Sequence, residues 1–176
     1  MHVAVTAIGV DRPGIVAAVS EVLFAHEGNI EDSRMAILGG HFAMMLIVAL
    51  PEGSNPAALE QALAVPAGAL DLVIAVRPVA ETSPERAAGV PYVVTVYGAD
   101  HPGIVHRITK ALAERGANIT DLATHVLAGP TPVYVMIMEL TLSPDADGAA
   151  VEADLKALAG ELDVDVSVRA IEAETL

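Results

Sequence analysis

Apolar and polar positions alternate from His2 to Gly9. Val3, Val5 and Ala7 fall on one face, and His2, Ala4 and Thr6 on the other, which is the period of a strand. After Asp11-Arg12-Pro13-Gly14 the period changes: Ile15, Val19, Val22 and Leu23 recur at helical spacing. Pro13 suits the first helical position, where a missing N–H costs nothing, and Gly14 permits close backbone approach. Gly28-Asn29 is expected to end this helix with residues that tolerate positive φ. Ile30 to Leu38 and His41 to Leu50 read as two strands joined by a tight turn at Gly39-Gly40. Pro56 opens a second helix with Leu59 and Leu63 at i and i+4, and Pro66-Ala67-Gly68 is expected to break it. Leu70 to Val76 then supplies a fourth strand.

The same unit is written again. Gly9-Val10-Asp11-Arg12-Pro13-Gly14-Ile15-Val16 returns 89 positions later as Gly98-Ala99-Asp100-His101-Pro102-Gly103-Ile104-Val105. Asn29-Ile30-Glu31-Asp32 returns at the same offset as Asn118-Ile119-Thr120-Asp121. One chain therefore holds two copies of a unit of roughly 85–90 residues. In the second, Tyr92 to Tyr97 is a strand, and Ile104, Ile108, Ala111 and Leu112 form the helical stripe, which ends near Gly116. Asp121 to Leu127 and Val133 to Leu142 are the hairpin strands. Asp145 and Asp147 are placed to cap a helix bearing Val151, Leu155, Leu158 and Leu162, and Asp163 to Ala170 closes the sheet. The copies are assigned to 1–77 and 91–171, with a proline-rich polar linker over 78–90 and a short acidic tail from Ile171 to Leu176.

Phe42 to Leu50 and Val133 to Met138 are apolar on both faces. A sheet with helices on one side should alternate, so the second face either meets the other copy or another chain, or is covered within the monomer. Self-association through the sheets is expected, as a homodimer or larger.

The duplicated Asp-x-Pro-Gly-Ile-Val turn, followed by a helix and then Asn-Ile, resembles the ACT domain, and the resemblance covers nearly the whole chain. It implies an α+β fold: two ferredoxin-like βαββαβ units, each an antiparallel four-stranded sheet with both helices on one face. Tandem ACT domains with no enzyme attached are most similar to the glycine cleavage system transcriptional repressor family. That resemblance implies a non-enzymatic regulator that senses a small amino acid, glycine or similar, and controls transcription or metabolism indirectly through a protein partner such as a transcriptional activator. Two other classes stay open: the regulatory subunit of a separate metabolic enzyme, and a ligand-free dimerisation module.

Composition narrows the partners. Nine basic residues against twenty-three acidic ones give a net charge of −14, which cannot form the positive stripe that phosphate neutralisation needs. No direct nucleic-acid binding is expected. Hydrophobic residues make up 53% of the chain, yet no uninterrupted apolar run reaches the ~18–20 residues of a membrane span. With no N-terminal basic-then-apolar signal, the chain is expected in the cytoplasm. There is no cysteine, hence no disulfide or thiol nucleophile.

No catalytic motif is present, and the six histidines lack metal-ligand spacing, so no cofactor, metal or catalytic residue is assigned. Asp11 and Asp100, just before a helix start, can serve as caps or can hold a ligand ammonium while nearby amides take its carboxylate. Gly14 and Gly103 fit tight packing or a ligand. Asn29 and Asn118 fit a left-handed turn or the donor and acceptor needs of a zwitterion. The resemblance implies that the first-helix loop and this strand start form the ligand cleft. The implied contacts are Asp11, Arg12, Gly14, Ile15, Asn29 and Ile30, and in the second copy Asp100, His101, Gly103, Ile104, Asn118 and Ile119. His101 in place of Arg12 makes the two pockets unequal.

Overall fold

The computed structural model describes residues 1–80, 89–130 and 132–171. The chain divides between residues 84 and 85 into two compact units. The first contains β1 (His2–Val10), α1 (Ile15–Ala25), β2 (Asn29–Leu38), β3 (His41–Ala49), α2 (Pro56–Leu70) and β4 (Leu72–Val79). The second contains β5 (Val90–Gly98), α3 (Ile104–Glu114), β6 (Asn118–Leu127), β7 (Val133–Leu142), α4 (Gly148–Glu161) and β8 (Val164–Ala170). Each unit has one four-stranded sheet, ordered β2-β3-β1-β4 and β6-β7-β5-β8, with every pairing antiparallel. This is the ferredoxin-like βαββαβ arrangement, twice.

Period-2 patterning sets each core. Val3, Val5 and Ala7 of β1 and Phe42, Met44, Leu46 and Val48 of β3 lie buried beneath Ile15, Val19 and Leu23 of α1 and Leu59 and Leu63 of α2. Val94, Val96, Met136, Met138, Leu140 and Leu142 do the same beneath α3 and α4. Among the described residues, the other face of each sheet carries no helix of its own unit. Ile8, Met45 and Val73 are exposed there in the first unit, as are Tyr97 and Ile137 in the second. Strand β3 is thus an interior strand of its sheet with only one side covered.

Several local expectations are corrected. The first helix begins at Ile15 rather than Pro13, because Gly14 takes φ 95, a left-handed value outside any helix, and acts as the N-cap. The residue with positive φ after α1 is Glu27, not Gly28 or Asn29. Gly28 meets a different need: a Cβ there would lie 2.9 Å from Val48 Cγ1 and 3.1 Å from the Leu23 carbonyl oxygen. In the second copy the left-handed position falls to Gly116 (φ 71), which explains why the glycine shifts by one place between copies.

Helix α2 is not broken at Pro66-Ala67-Gly68; it runs on to Leu70, with the turn at Asp71 (φ 55). Ala67 and Leu70 continue the stripe begun by Leu59 and Leu63 and pack on the core, which offsets the hydrogen bond that Pro66 cannot donate. Leu70 therefore belongs to the helix. Asp147, not Asp145, caps α4, accepting from the amides of Ala149 and Ala150 at 3.0 and 3.2 Å. Of the linker assigned to 78–90, strand β4 continues through Val79, strand β5 already begins at Val90, and 81–88 lie outside the described residues. The acidic tail beyond Ile171 lies outside them too.

Candidate functional site

Glycine at the end of the first strand builds the turn that follows. A Cβ on Gly9 would stand 2.7 Å from the Asp71 carbonyl oxygen, and one on Gly98 2.9 Å from Val164 Cα. Only glycine lets the helix–strand junction come this close to the start of the motif turn. The Asp11 amide then donates to Gly40 at 2.9 Å, fixing the turn against the β2–β3 hairpin. Gly14 and Gly103, at φ 95 and 102, aim the next backbone segment into the helix. A Cβ there would meet nothing within 4 Å, so these two glycines are required by conformation and not by crowding.

The result is an open helix start in each unit. The first helical bonds run from Ala18 N–H to Gly14 and from Arg107 N–H to Gly103, both at 2.9 Å. The amides of Ile15, Val16 and Ala17, like those of Ile104, Val105 and His106, precede them and have no intrahelical acceptor. Neither helix has a side-chain cap, so Asp11 and Asp100 do not cap. Both aspartates are exposed, with Gly14 and Gly103 beside them. Such an end attracts an anion through its amides and dipole, and the carboxylate three residues before the N-cap glycine attracts a cation. The side chains of Ile15 and Ile104 are buried, so these residues can offer only backbone.

Asn29 is elsewhere. It opens β2 and pairs with Ala49, as His2 does, whereas Asp11 lies at the other end of β1 beside Gly40. The nine-residue β1 separates them by roughly 25 Å at the usual rise per residue. The expected cleft joining motif turn and asparagine is therefore not formed within one unit. Asn118 and Ile119 stand equally far from Asp100, because α3 and β6 repeat the same path. Neither asparagine has positive φ. Both edge strands break register in the same place, between Ile30 and Asp32 and between Ile119 and Asp121. That shared bulge was not legible as a pattern, since Glu31 and Thr120 have nothing chemical in common.

The two turns differ in their second residue. Arg12 is exposed and makes no hydrogen bond or ion pair among the described residues. His101 places Nε2 2.7 Å from the Leu162 carbonyl oxygen and Nδ1 3.2 Å from that of Pro102. These two carbonyls raise its pKa above the ordinary histidine value, with smaller help from Asp100 and Asp163 against the opposing effect of desolvation. Below this turn, Tyr134 pairs across to Gly98 at the position that Phe42 holds opposite Gly9. Its hydroxyl is buried with no hydrogen-bond partner among the described residues, and burial, then Asp100, pushes its pKa up. Sequence alone could have found Tyr134 by aligning the copies past their unequal hairpin turns.

Two four-stranded sheets with this duplicated glycine turn define a class. The model of the ACT domain family matches residues 1–77 and 91–169, and the chain belongs to that family as a tandem member. It is 32% identical to the glycine cleavage system transcriptional repressor of Escherichia coli K12, across 97% of this chain and 90% of the relative. Among solved structures, a protein of unknown function from Galdieria sulphuraria superposes with a TM-score of 0.81 and 31% identity, covering 97% of this chain and 98% of its own. Another, proposed to be a glycine cleavage system transcriptional repressor, gives a TM-score of 0.68 at 25% identity with 97% of both chains covered.

Proposed function

We propose that this protein is a non-enzymatic regulator that binds a small amino acid, glycine or similar, at the motif turns and acts through a protein partner such as a transcriptional activator. One observation carries the reading: an exposed, uncapped helix start with a carboxylate beside it that does not cap the helix, built twice. Amides there suit a ligand carboxylate, and Asp11 or Asp100 suits its ammonium. A lone anion would be repelled by the aspartate, so the pair selects a zwitterion. The family and the 32% identical repressor support the regulatory role. A net charge of −14 favours an indirect effect on transcription over direct contact with DNA.

Asn29 can join this site only if β2 of a second chain lies beside the motif turn, because its own unit holds it a strand length away. Calorimetry with a panel of small amino acids tests the whole reading. Asp11→Ala should weaken binding roughly tenfold or more, the equivalent of a charge-assisted hydrogen bond of about 1.5–3 kcal/mol. Asn29→Ala should do so only under conditions where the chain self-associates. If no amino acid binds the parent protein, the proposal fails.

A further inference from the structure

We propose that His101 is a proton-responsive staple: with its ring charged it ties the second motif turn to the α4–β8 junction and supplies, on demand, the cation that the first turn carries permanently in Arg12. The ring sits between two carbonyl oxygens, those of Leu162 at 2.7 Å and Pro102 at 3.2 Å. A neutral imidazole has one N–H and can donate to only one of them, whereas an imidazolium donates to both. Leu162 is the C-cap of α4, buried in the core, so its carbonyl is a fixed point. Gly98 makes the contact possible, since any Cβ there would push Asp163 and Val164 away.

The charged groups around the ring favour the protonated form. Asp100 precedes it in the turn and Asp163 follows Leu162 at the junction, and both act on it. From the facing helices, Arg107 of α3 is occupied by Glu161 of α4, so it presents no free cation to oppose the imidazolium. Tyr134 of β7 is neutral throughout this range because its ionisation is pushed upward. A pKa raised above the ordinary 6.5 means that the staple is complete below 6.5 and weakens as pH rises through the folded-state value. It weakens without releasing, because the neutral ring can keep its Nε2 bond to Leu162.

The copies then differ in kind. A guanidinium is a permanent cation, so an anion at the first turn meets a constant field. At the second turn the same anion meets a field that fades with deprotonation. This last step rests on the amino-acid reading above; the staple itself does not.

Nuclear magnetic resonance of the full chain tests both parts, with His101→Gln identifying the ring signals by their loss. The His101 midpoint should lie above the ordinary histidine value of about 6.5. The backbone amides of Gly103, Ile104 and Val105 should shift with that same midpoint and should stop doing so in His101→Gln. A midpoint at or below the ordinary value, or amides that ignore it, would overturn the staple. With glycine as the probe, binding at Ile104 and Val105 should weaken several-fold between about pH 6 and pH 8, and His101→Arg should remove that dependence. Equal glycine binding at both values would refute the switchable cation. If glycine perturbs neither turn at any pH, the amino-acid reading fails, while the ring midpoint and amide shifts still decide the staple.

Discussion

Replacing Tyr134 by phenylalanine should stabilise the second unit. Tyr134 is 7% exposed and its hydroxyl is enclosed without a hydrogen-bond partner among the described residues. The first unit shows what the site accepts, since Phe42 occupies the matching position at 2% exposure in the same kind of core. Leaving a buried polar group unsatisfied costs about 1–3 kcal/mol, whereas removing it leaves the ring's packing intact. Tyr134→Phe should therefore gain about 1–2 kcal/mol, and Phe42→Tyr should lose about 1–3. Urea denaturation of the full chain would report these as midpoint shifts with unchanged slopes. The pH dependence gives a second reading. Because the folded-state pKa is raised above 10, the parent's stability should fall as pH climbs past that value and the unfolded chain ionises first. Tyr134→Phe should lack this part of the fall. If Tyr134→Phe instead costs more than about 1 kcal/mol, the hydroxyl has a bonded partner in solution and the reasoning is wrong.

Gly9→Ala should destabilise the first unit by about 1–3 kcal/mol in the same denaturation assay, because its Cβ would press on a backbone carbonyl that cannot swing aside. A neutral result would show that the α2–β4 junction yields. Asp147→Ala should cost about 0.5–2 kcal/mol through loss of the two amide bonds at the start of α4, while Asp145→Ala should leave stability unchanged. Light scattering should report a dimer or larger, since the uncovered sheet face presents Ile8, Met45 and Val73 to water. A clean monomer at high micromolar concentration would contradict it.

The sequence by itself determined the architecture. Period-2 runs at Val3, Val5 and Ala7 and helical stripes such as Ile15, Val19 and Leu23 depend only on which face is buried, and burial is local information repeated along the chain. The duplicated turn fixed the unit count in the same way. Tertiary structure decided where interactions reach across elements. Pro66 sits inside α2 because Ala67 and Leu70 still find core to pack on, a gain that no propensity includes. Gly9 and Gly98 read as strand ends until the Asp71 and Asp163 backbones are seen against them. For the candidate site the division is sharper. Asp11, Gly14 and the open amides are neighbours in sequence, so their grouping was legible. Asn29 is eighteen positions on from Asp11, and α1 and β2 carry the chain to the far end of the sheet before it appears. His101 and Leu162 are 61 residues apart and meet only because two chain crossings converge at one end of the second sheet. Spacing along a chain encodes the period of an element; which ends of separate elements meet is set by strand order and direction, and these exist only in the folded unit.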